Sequence, residues 1–142
     1  MHAEASSRAT APDRTLAAVG ARDLAARRLT LVAAASYTAS VLLGVGLALR
    51  LGGGRHRWVH HAAYITTVTT TTMAATGPLW SRSRAGGVLL GALPALAALS
   101  RVPTRSRRHP VVALSVLPCY LAAVLLARRP VRPENLEERA WS

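Results

Sequence analysis

Residues 29–49 read LTLVAAASYTASVLLGVGLAL, twenty-one positions without a charge between Arg28 and Arg50. As a helix the run reaches about 31 Å, the thickness of a bilayer's hydrocarbon core. It predicts a transmembrane helix, and the rest of the chain is read outward from it. Ser36, Ser40, Gly44 and Ala48 recur every fourth position and form a ridge on which another helix can approach closely. Gly52, Gly53 and Gly54 then end the segment.

Three further apolar runs follow. Residues 58–80 are more polar, with His60, His61 and seven threonines, yet Trp58 and Trp80 stand about 33 Å apart on a helix, matching the two aromatic belts of a membrane. In water, Thr66, Thr67 and Thr69 to Thr72 favour a strand. In lipid an open strand leaves its backbone unpaired, whereas helical threonines bond back to carbonyls one turn earlier, so a helix is expected. Residues 85–100 are the shortest run, reach about 24 Å and contain Pro94. They carry Gly87, Gly91 and Ala95 at a spacing suited to tight helix packing. Residues 110–127 begin with proline in the tolerated first turn and contain Pro118, which predicts a kink.

The expected fold is therefore all-α, an integral membrane bundle of four short transmembrane helices at 29–49, 58–80, 85–100 and 110–127. It becomes three if 85–100 does not cross. Residues 1–28 form an Arg/Ala-rich N-terminal tail, disordered or a membrane-surface helix, and residues 128–142 a polar C-terminal tail. The basic N-terminal region is long, and the apolar run continues past Ala35, Ser36 and Ala39, so cleavage as a signal peptide is not expected.

Charge fits this layout. The 142 residues carry eighteen arginines, no lysine and a net charge of +12, and all six carboxylates lie outside the stretch from Leu24 to Pro133. The arginines punctuate apolar runs instead of gathering on one face, which argues against a nucleic-acid partner and for anionic lipid headgroups. Lysine's absence and an alanine share of about a fifth read as the codon bias of a high-GC bacterial genome. With four crossings, eleven of the eighteen arginines fall on the side of the tails, which places both termini in the cytoplasm and the protein in the cell membrane as a multi-pass chain.

Chemistry-bearing groups are few. His56, His60, His61 and His109 fall on the edge opposite the tails, and His60, His61 and His109 are the candidate ligands for a haem or a metal. Arg55, Arg57, Arg107 and Arg108 surround them, and no carboxylate is near to orient an imidazole. No cofactor is therefore expected, and the histidines read first as interfacial residues. The single Cys119 reads as a small apolar side chain within a helix, and Tyr37, Tyr64 and Tyr120 as packing or interfacial residues. No nucleophile has a base beside it, no catalytic motif is present, and the spans hold no Asp, Glu, Lys or Arg. The expectation is a non-enzymatic packing or accessory subunit, self-associating or within a larger membrane complex. The alternatives are a haem- or metal-binding subunit using His60, His61 and His109, and a passive pore or facilitator lined by the threonine-rich second helix, where substitution of Thr66, Thr69 or Thr70 by valine would alter flux.

Overall fold

The computed structural model describes residues 11–49, 57–102, 106 and 108–129, and among these it is all-α, arranged as four helical rods. The first is one helix, α1, Ala11–Ala48. The sequence division at Arg28 leaves no mark on it. Pro12 lies in the first turn, and Ala25, Ala26, Arg27 and Arg28 all favour helix, so nothing stops the helix where polarity changes. Residues 11–28 are thus continuous with the first apolar run, and the part of the N-terminal tail before them lies outside the described residues.

The other three rods are each interrupted, and a proline accompanies every interruption. α2, Arg57–Ala75, turns at Thr76 and restarts as the short α3, Gly77–Trp80, with Pro78 in its first turn. The third rod begins as a 3-10 segment, Gly86–Ala92, and continues as α4, Leu93–Leu99, which Pro94 opens. The fourth is α5, Arg108–Ser115, then α6, Leu117–Arg128, broken at Val116 next to Pro118. Proline lacks an N–H and disfavours helix in the residue before it, so each one starts a new segment instead of sitting mid-helix.

The 3-10 geometry changes two things. Its larger rise lets residues 86–99 reach about 25 Å, where an all-α segment would reach about 21 Å. It also repeats every three residues, so the buried positions are Gly86, Leu89 and Ala92. The Gly87, Gly91 and Ala95 stripe, which assumes an α-helical period, is instead partly or fully exposed.

The rods close a ring. α1 packs chiefly on α2, the 3-10 segment lies between α2 and α6, and α6 returns to α1. Buried positions repeat at three and four residues: Ala26, Thr30, Ala33 and Tyr37 on α1, Thr67, Thr71 and Ala74 on α2, Val116, Tyr120, Ala123 and Ala127 around α6. This is the knob spacing of a helical bundle. The buried residues are mostly alanine, threonine and tyrosine, while Leu31, Val32, Leu42, Val45, Leu90, Val111, Leu114, Leu121 and Leu125 face outward.

Two helical stretches, Arg14–Gly46 and Arg108–Arg128, are long and apolar enough to cross a membrane. Of their apolar windows 17% and 22% are buried, and the first lies near the N-terminus. Gly86–Leu99 is apolar but shorter.

Candidate functional site

Side-chain hydroxyls bond between the rods, two of them at the ends of helical segments. The last four carbonyls of any helix have no partner within it. Tyr64 on α2 donates its phenol to the Leu96 carbonyl near the end of α4 at 2.7 Å, and Tyr37 on α1 donates to the Ala113 carbonyl near the end of α5 at 2.7 Å. Each tyrosine caps a helix end in a neighbouring rod. Ser115 adds a local bond from its hydroxyl to the Val112 carbonyl.

Tyr37 and Tyr120 stack in the centre, with ring centroids 4.2 Å apart and planes 8° from parallel. That separation exceeds the about 3.5 Å of closest carbon contact, so the rings are offset, the favoured stacked geometry. The Tyr120 hydroxyl shares a hydrogen bond of 2.5 Å with Thr71, and Ser40 bonds both Thr67, at 2.7 Å, and the Ala63 carbonyl, at 3.1 Å. These bonds tie α1 to α2 and α2 to α6. Among the described residues no buried side-chain nitrogen or oxygen is left without a hydrogen-bond partner.

The threonines divide by face. Thr67 and Thr71 point inward and bond across helices, as above. Thr66, Thr70 and Thr72 bond back to the carbonyls of Ala62, Thr66 and Val68 at 2.8 to 2.9 Å. This is the local bonding that lets a threonine-rich stretch remain helical in an apolar medium. Thr66 and Thr69, two of the residues that a pore would need at its lumen, lie on the outer surface of the bundle.

At the end opposite the tails, His60 on α2 and His109 on α5 come together, their ring centroids 6.3 Å apart and their planes at 70°. His61 is exposed, as the 100° step to its neighbour requires. His109 Nδ1 lies 3.2 Å from the Val102 carbonyl. When Nδ1 carries the proton and donates it there, Nε2 keeps a lone pair able to bind a metal or haem iron. His56 lies outside the described residues. Among the described residues no group of three or more His, Cys, Asp or Glu side chains is placed to hold a metal ion. The rings of His60 and His109 thus meet edge to face, and His61 does not join them.

Cys119 is partly buried, and a β-carbon on Gly91 would lie 3.5 Å from its sulfur, so it fills a helix contact as a small side chain. The tyrosine caps are structural features that the sequence does not announce: each carbonyl they reach lies in the last turn of a helical segment, and helix ends leave such carbonyls unpaired.

No protein family model, no curated protein and no solved structure matches the chain.

Proposed function

We propose that this chain crosses the cell membrane four times with both tails in the cytoplasm, and that it acts as a non-enzymatic packing or accessory subunit. The observation that carries the reading is the distribution of side chains. Alanine, threonine and tyrosine make up most of the interior, with Leu89, Leu96, Leu99 and Val116 its larger aliphatic side chains, while Leu31, Leu42, Val45, Val111, Leu121 and Leu125 are exposed. Lipid rewards this arrangement, because helices associate there through small residues and interhelical hydrogen bonds, not through burial of leucine. The hydroxyls of the interior are engaged in helix-to-helix and capping bonds, which supports a structural role and leaves them uncommitted to catalysis.

Topology draws on a further contact. The backbone N–H of Arg82, in the turn after α3, donates to the Asp23 carboxylate on α1 at 2.7 Å. The N-terminal part of α1 and the second turn therefore share one end of the bundle. In the arginine count, that is also the cytoplasmic end. Reporter fusions at Ser83 and Ser142 are expected to give cytoplasmic signals, and fusions at Gly53 and Ser106 signals from the far side. A cytoplasmic signal at Gly53 or Ser106 overturns the topology.

A second reading, a haem- or metal-binding subunit, draws on the His60 and His109 contact alone. One preparation separates the two. Extracted from its native membrane in a mild detergent, the protein is expected to migrate as an assembly larger than one chain and to show no Soret band. A monodisperse single chain sinks the accessory role, and a Soret band lost on His60→Ala replaces it with the cofactor reading.

A further inference from the structure

The interruption of α2 at Pro78 turns α3 toward the N-terminal part of α1 and opens a cleft of about 280 Å3 between them. One wall is Val19, Arg22 and Asp23 of α1, and the other is Leu79, Trp80, Ser81 and Arg82. The Asp23 carboxylate already accepts the Arg82 N–H, which fixes the two walls against each other. Arg22 and Arg82 both line the cleft, and both are exposed. Leu79 and Trp80 line it as well, and Leu79 is 85% exposed.

The composition of the cleft selects its ligand. Two arginines present planar, multidentate donors of the kind that recognise phosphate, and Val19, Leu79 and Trp80 offer a surface for hydrocarbon. The volume sits just below the roughly 300 Å3 at which enclosed small-molecule pockets begin, so a ligand has to continue out of it. Position agrees as well. Arg22 lies seven residues, about 10 Å, ahead of Leu29, where the first apolar run enters the hydrocarbon. The headgroup layer adds about 5 to 8 Å beyond that core, within reach of a long arginine side chain.

We propose that this cleft is a binding site for the phosphate headgroup of an anionic phospholipid, held between Arg22 and Arg82 with its acyl chains leaving over Leu79 and Trp80. The inference rests on the membrane reading above. It differs from a diffuse attraction to negative membranes in depending on two particular arginines.

Native mass spectrometry of the full chain in detergent, with an equal mixture of phosphatidylglycerol and phosphatidylcholine, tests it. One phosphatidylglycerol is expected to be retained in preference, and Arg22→Gln with Arg82→Gln is expected to weaken its retention at least tenfold. Both changes leave the backbone bond to Asp23 in place. Arg14→Gln, on the exposed surface of α1 outside the cleft, is expected to change nothing. Inorganic phosphate at tenfold excess is expected not to displace the lipid. Equal retention of the two lipids, an unaffected double variant, or displacement by free phosphate overturns the site. A chain that stays dispersed without detergent and ignores vesicles of either lipid overturns the membrane reading itself, and is distinguishable from those outcomes.

Discussion

Gly86→Ala is expected to abolish the ordered packing of the third rod, with a loss of about 3 kcal/mol or more. A β-carbon at this position would fall inside the Ala74 carbonyl oxygen and 2.9 Å from its carbon, with Pro78 Cδ at 3.6 Å. Overpacking typically costs about 1 to 3 kcal/mol when neighbouring side chains can move aside. Here the obstacle is the backbone of α2, immediately before the interruption at Thr76, so relief requires the two rods to separate. Alanine's better helix propensity offsets at most about 1 kcal/mol of this. Gly20→Ala supplies the comparison, since nothing lies within 4 Å of its β-carbon position, and it is expected to be neutral or to stabilise by up to about 1 kcal/mol. Denaturation of the detergent-solubilised protein by SDS, followed by near-ultraviolet circular dichroism, reads both. Equal midpoints for Gly86→Ala and Gly20→Ala would mean that the third rod does not pack on α2 through this contact.

Gly86 also shows where the sequence stops being legible. The number and order of rods follow from apolar run lengths, from the triple glycine and from the prolines, all visible in the chain. The packing face of the third rod does not, because a small-residue stripe is read with an α-helical period, and residues 86–92 wind as 3-10. Shortness of the run and Pro94 are the physical reasons for that tighter winding, but the shift from Gly87 to Gly86 depends on how α2 and α6 press on it. The boundary at Arg28 fails for a different reason. Polarity marks where a helix meets the membrane and not where it begins, and alanine and arginine carry α1 through. For the candidate site, periodicity alone separates His60 from His61, whereas the pairing of His60 with His109 requires the third rod to fold between α2 and α5. The Arg22 and Arg82 cleft is the least legible feature, since the Asp23 and Arg82 that join its walls are 59 residues apart.

The second large effect is expected at Tyr120, and the two ways of shortening it separate packing from hydrogen bonding. Tyr120→Ala removes a buried ring from contact with Tyr37 and leaves a cavity between α1 and α6. Aromatic truncation in a packed core costs about 3 to 5 kcal/mol, and the stacked partner adds about 0.5 to 1.5 kcal/mol. Tyr120→Phe keeps the ring and deletes only the bond to Thr71. The orphaned Thr71 hydroxyl can turn to the carbonyl one turn back, as Thr66, Thr70 and Thr72 do, so the loss is expected to stay near the about 0.6 kcal/mol average, and below the about 1.7 kcal/mol maximum, of interhelical bonds in membranes. Thr71→Val should cost about the same singly, and the double variant Tyr120→Phe with Thr71→Val no more than either alone, because both remove one bond. SDS denaturation midpoints for the four variants decide the matter. A Tyr120→Phe loss equal to that of Tyr120→Ala would assign the cohesion of the bundle to the hydroxyl network and not to the stacked rings at its centre.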